Sequence, residues 1–157
     1  MNDDQIRQRE EIVKEYEKDL NFLMRYLPYF EKKGSADAQN FYRGENANFK
    51  SIPFPVYDST LLSFIKDAGK TKFMTKNYQY VYRRHRINGP EDEKRLMANA
   101  KISDMDIFCG ILSRYVMEGR RRGAVWTEGL QYQIYLDFLK CMNKMFYKFY
   151  EPEKLLP

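Results

Sequence analysis

His85 is the only histidine in the chain, and it stands in the run Tyr82-Arg83-Arg84-His85-Arg86. An imidazole beside cations can act as general base in RNA cleavage while an arginine stabilises the phosphorane, so these are the residue types of a ribonuclease site. That chemistry needs a second acid or base, and none stands at a defined spacing. The plainer expectation is a solvated basic helix face. Arg120-Arg121-Arg122, between Gly119 and Gly123, forms a second basic group just ahead of Trp126. Arginines fork onto phosphates, an indole can stack on a base, and the free N–H groups of a following helix attract anions. Trp126 also begins an apolar stripe, which places it in the core before it places it on a surface. The expected anion- or partner-binding set is therefore Arg83, Arg84, His85, Arg86, Arg120, Arg121, Arg122 and Trp126.

Other chemistries fail on spacing. Gly69-Lys70-Thr71 resembles the end of a phosphate-binding loop, but Phe64 stands where that loop needs a glycine, and a helix precedes it where a strand is required. No serine lies in a Gly-x-Ser-x-Gly elbow, and Cys109 and Cys141 have no metal-ligand spacing. Both cysteines fall inside apolar helical patterns, where free thiols fill buried positions. Glu91-Asp92-Glu93 and the pair Asp104 and Asp106 read as charges placed at helix N-termini. No catalytic residues, metal or cofactor are expected, and the protein is not expected to be an enzyme.

Charge distribution points to a partner. Residues 66–122 hold fourteen Lys and Arg against seven acids, and clustered like charge opposes the compact state unless an anion offsets it. Residues 1–31 hold eight acids and five bases, so with a net charge of +5 the remainder carries +8. An acidic first helix on a basic remainder suggests docking within the chain as readily as nucleic-acid binding. The 157 residues suffice for one domain that buries roughly two thirds of its unfolded surface. With 43% apolar and 16% aromatic residues, the composition is that of a globular protein. Met1-Asn2-Asp3-Asp4-Gln5 has neither a basic nor an apolar leader region, and no run of eighteen apolar residues occurs. The expected setting is the cytoplasm, without membrane attachment.

The elements that must position these residues follow from periodicity. Ile6, Val13, Leu20 and Leu27 recur every seven residues, with Tyr16, Leu23 and Phe30 at the offset positions. This predicts a long acidic amphipathic helix over 1–27 that ends at Pro28, interrupted in its seam by Arg9 and packed on the domain's own helices. Glycines, asparagines and prolines exclude a long helix over 28–57, where Phe41-Tyr42 and Phe49–Ile52 could pair as a small hairpin. A helical core spans 58–150. Asp58 or Ser59 caps a helix that stops at Gly69, and Tyr78, Tyr80 and Tyr82 alternate like a strand in a segment read as helix for want of a partner. Pro90 opens a short helix, Ser103 and Asp106 resemble a capping box, and a last helix runs from about Val125 to Tyr150. The sum is a mainly α single domain, a bundle of five or six helices with an extended segment near 41–57. The apolar arc of the last helix is wide enough to suggest a homodimer.

Pro53-Phe54-Pro55-Val56-Tyr57 with Leu61, Leu62, Phe64 and Ile65, and Arg114-Tyr115-Val116 through Arg121 to Trp126, resemble a bacterial family of unknown function. Its members are small proteins of gut-type Gram-positive bacteria. The likeness runs from Tyr26-Leu27-Pro28-Tyr29-Phe30-Glu31 to Met145 and includes Phe41-Tyr42 and Asn77-Tyr78. It implies an intact, mostly helical domain and supplies no activity or site residues. The function expected from the residues is a non-enzymatic interaction or regulatory protein with a basic, aromatic surface, with inhibition of nucleic-acid-handling machinery as one form of it. The alternatives are direct DNA or RNA binding, and an RNase-like enzyme using His85. No zinc finger, ribonucleoprotein consensus or helix-turn-helix signal supports the nucleic-acid reading.

Overall fold

A computed structural model of the chain describes residues 2–33 and 58–147. Of these described residues 78% are helical and none lies in a strand. The expected hairpin near 41–57 lies outside them. Helix α1, Asp3–Met24, starts with a reciprocal cap: the Gln5 N–H donates to the Asn2 side chain, and the Asn2 N–H to Gln5 Oε1. The chain turns at Arg25 and Tyr26, and α2 occupies residues 27–33. The expectation of a helix reaching Pro28 is corrected here, because Pro28 sits in the first turn of α2, where its missing N–H breaks no helical bond.

Helix α3, Ser59–Ala68, is capped by Asp58, which accepts from the Thr60 N–H at 2.8 Å, and it ends at Gly69 as expected. The tyrosine-rich segment is helical, α4, Tyr78–Arg84, with Tyr78 and Val81 turned inward and Tyr80 exposed. Helix α5 is Pro90–Asn99. The capping box read at Ser103 is corrected: Asp104 closes a 3-10 turn over Ile102–Asp104 by accepting from the Lys101 N–H, and α6, Met105–Glu118, follows. Gly119 ends α6.

The last helix is two, α7, Ala124–Gln131, and α8, Ile134–Tyr147. Counting α2, eight α-helices stand among the described residues against the five or six expected. The break falls at Gln133, whose φ of 61° is left-handed. It lets Tyr135 fold back so that its hydroxyl donates to the Trp126 carbonyl at 2.9 Å, with its ring over Gly129. Both helices bury their stripe on the same side, so apolar periodicity alone runs through the break. A Cβ at Gly129 would lie 2.2 Å from Tyr135 Cζ, and Tyr135 is fully buried. Gly129→Ala should therefore cost about 2 kcal/mol by overpacking, read as a lower urea midpoint.

Helix α8 lies at the centre, with Ile134, Tyr135, Phe138, Leu139, Met142 and Phe146 all buried against α1, α5, α6 and α7. Two runs of ring contacts fill the space around it, Phe30–Phe64–Tyr135–Tyr115 and Tyr16–Phe73–Phe138–Phe108. Among the described residues the apolar stripe of α8 is buried within one chain, while Tyr132 ahead of it is exposed. Helix α1 buries Val13, Leu20 and Leu23 in the core and meets α8 through Arg9, which is buried and donates from Nη2 to the carbonyls of Met145 and Phe146, each at 2.8 Å. Among the described residues no ion pair joins an acid of α1 to the remainder. The helix is held by its apolar face, by its one buried base and by Asp19, whose carboxylate accepts from the Lys72 N–H at 2.8 Å.

Candidate functional site

Helix α4 runs antiparallel to α6. The Thr75 N–H donates to Ser113 Oγ ahead of α4, Val81 lies against Gly110 midway, and His85 meets Asp106 at the far end. Arg83, Arg84, His85 and Arg86 therefore sit beside the start of α6, while Arg120, Arg121 and Arg122 follow its end. Fourteen residues of helix separate the groups by about 21 Å. The expected binding residues are thus split between two places on the surface.

His85 Nε2 is 2.9 Å from Asp106 Oδ2, and Arg84 Nη1 lies 3.5 Å from the same oxygen. The carboxylate partner that local spacing did not supply comes from 21 residues away, from an acid read as a helix N-terminal charge. Arg122 pairs with Glu128 at 3.7 Å. Trp126 donates its indole N–H to the Val116 carbonyl at 3.1 Å, and its five-membered ring lies against Gly119, where a Cβ would come within 2.0 Å. The indole closes the α6–α7 turn and is not held out as a stacking platform.

Within the basic group at the end of α6, Arg120 reaches the end of α3. A Cβ added at Gly69 would lie 3.2 Å from Arg120 Nη2, so the bare glycine lets the guanidinium come close against the end of α3. Lys66 and Lys70 are exposed on the same end of α3. Among the described residues Lys66, Lys70, Arg120 and Arg121 form no ion pair. A recess of about 610 Å³ adjoins them, walled by Arg25, Tyr26, Ser59, Thr60, Ser63 and Asp67 among others. Asp67 is held there by Arg25 and by the Tyr26 hydroxyl at 2.5 Å. Burial pulls its carboxyl up, but the hydrogen bonds from Tyr26 and Arg25 outweigh that and hold it below the ordinary range. The exposed Lys66 and Lys70 thus share a recess with an acid that Arg25 and Tyr26 already hold.

A second cleft, of about 500 Å³, opens between α4, α5, α6 and α7 and includes Arg83 in its wall. Its floor holds Glu93, 1% exposed, whose oxygens accept from the Tyr82 hydroxyl at 2.5 Å and the Tyr115 hydroxyl at 2.6 Å. Arg114 Nη1 lies 3.9 Å from Glu93, its Nε pairs with Glu118 at 3.3 Å, and its guanidinium rests 4.7 Å over the Tyr115 ring. Burial pushes the Glu93 carboxyl above its ordinary range against these hydrogen bonds and this charge, and burial pushes both phenols up as well. The wall offers no serine, threonine, cysteine or histidine as a nucleophile. Each Glu93 oxygen is engaged, so the cluster joins three helices as a closed network. Sequence reading took Glu93 for an N-terminal helix charge. The available signal was its place four residues before Met97, an acid on the apolar register of α5.

Among the described residues no three acids, cysteines or histidines gather as metal ligands, and no helix is long and apolar enough to cross a membrane. No protein-family model matches this chain, and no curated protein or solved structure matches it either.

Proposed function

We propose that this is a non-enzymatic binding protein that docks on an acidic segment of another protein through the face formed by Lys66, Lys70 and Arg120. The observation that carries this reading is the seat of Arg120 over Gly69, which adds a third cation to two lysines already without ion pairs. Such a cluster keeps its self-repulsion until an anion arrives. A protein partner is favoured over nucleic acid because the one tryptophan closes the α6–α7 turn and the neighbouring Tyr26 ring is buried, so neither is held out for base stacking.

Fluorescence anisotropy with a labelled Glu-rich peptide, and with single-stranded and duplex oligonucleotides, tests the reading. The peptide should bind in a salt-dependent way, and the Lys66→Glu, Lys70→Glu, Arg120→Glu variant should weaken it at least about tenfold. Charge reversal at Arg83, Arg84 and Arg86, at the other end of α6, should leave that affinity unchanged. Tighter binding of an oligonucleotide would replace this reading with direct nucleic-acid recognition. Ribonuclease activity lost on His85→Ala would overturn its non-enzymatic part.

A further inference from the structure

An apolar recess outside both regions lies between α1, the α5–α6 junction and α8, and it measures about 600 Å³. Its floor is Met97, Met145 and Ile102, with Ala98 and the half-buried Cys141 beside them. Thioethers give such a floor a soft, adaptable surface that accepts flexible chains. The size falls within the range of small-molecule sites, which combine apolar walls with a few placed polar groups.

The charged groups of the wall are all cations, Arg9, Lys101 and Lys144, set beside the neutral Gln5, Gln8 and Ser103. Lys101 and Lys144 stand exposed at the wall, and no acid lines the recess. Neither lysine forms an ion pair among the described residues. Lys101 is fixed in place by a tight turn in which its N–H donates to Asp104 Oδ2 at 2.9 Å and its carbonyl accepts from the Asp104 N–H at 2.8 Å. Lys144 is carried on the last turns of α8. Two lysines from separate elements thus bracket an apolar slot.

We infer that this recess binds a single-chain amphiphile with an anionic head, of the class of medium-chain carboxylates, the head between Lys101 and Lys144 and the chain on the methionine floor. The inference is independent of the acidic-peptide face, which lies on α3 and the α6–α7 turn. Apolar burial sets the expected dependence on length: each added methylene should tighten binding about fourfold.

Calorimetric titration with octanoate, decanoate, decanol and decylammonium, all below their micellar concentrations, tests it. Decanoate should bind at one site and roughly fifteenfold more tightly than octanoate. The Lys101→Glu, Lys144→Glu variant, altered only at exposed positions, should lose at least about tenfold. Ala98→Trp, which fills the slot from an exposed position, should abolish binding. Decanoate should also slow alkylation of Cys141, mapped by mass spectrometry. Equal binding of decanol, tighter binding of decylammonium, or an unchanged lysine variant would overturn the inference. So would retention on phosphatidylglycerol vesicles without decanoate binding in solution, which would assign the lysines to a membrane surface.

Discussion

Glu93→Ala is expected to lower the unfolding free energy by about 4 kcal/mol, measured by urea denaturation followed through the fluorescence of Trp126. The substitution removes the acceptor for two phenols, one of them on a tyrosine only 1% exposed, and leaves Arg114 without one of its two carboxylates. Buried donors that lose their acceptor retain the full cost of their desolvation. Such a loss is a large part of the roughly 5–15 kcal/mol that holds a domain together. Glu93→Gln keeps the shape and one acceptor oxygen, and should cost only about 1 kcal/mol.

The same residue sets a pH dependence with a defined sign. Burial raises the carboxyl of Glu93 in the folded state, so the native protein holds this proton more tightly than the unfolded chain, where glutamate titrates near about 4.3. The stability linked to Glu93 is greatest below that value and declines as pH rises through the raised folded value. Asp67 has the opposite sign: burial raises it, but its hydrogen bonds prevail and lower it, so its contribution is present above about 3.9 and is lost as pH falls through the folded value. In Glu93→Gln the first decline should disappear and the second remain. A variant whose urea midpoint still falls on the alkaline side as steeply as the parent would show that Glu93 does not titrate as described.

Arg9→Ala is expected to cost about 3 kcal/mol. Two charge-assisted hydrogen bonds to the buried carbonyls of Met145 and Phe146 on α8 are removed. Hydrogen exchange should report where the loss falls. Amides of α1 and of the last turn of α8 should exchange sooner in the variant, while those of α6 stay protected. Arg9→Lys should recover part of the loss, since one ammonium can reach a carbonyl but lacks the fixed fork.

The helical class, the cap at Asp58, the start of α5 at Pro90 and the stops at Gly69 and Gly119 were legible because each is set within one or two turns of chain. A capping side chain meets its N–H two or three residues on, and a stripe at helical period marks the face that must leave water. The strand-like alternation of Tyr78, Tyr80 and Tyr82 was outweighed for the same local reason, as no second strand was there to bond it.

What the residues could not show is what lies opposite them. Arg9 reads as a fault in a heptad seam until α8 presents two carbonyls to it, and Glu93 reads as a helix-end charge until Tyr82 and Tyr115 arrive from α4 and α6. The break at Gln133 is invisible to periodicity because Tyr135 closes over Gly129 only in three dimensions. The arginine runs, each plain in the chain, were assigned their neighbours by packing: the pairing of α4 with α6 brings one to Asp106, and the packing of α3 beside α6 brings Arg120 of the other to Gly69. Local pattern determines which segments coil and which face is apolar, since those energies depend on near neighbours. Partners for buried charge, and the company of exposed charge, depend on contacts between residues tens of positions apart, and only the packed structure decides them.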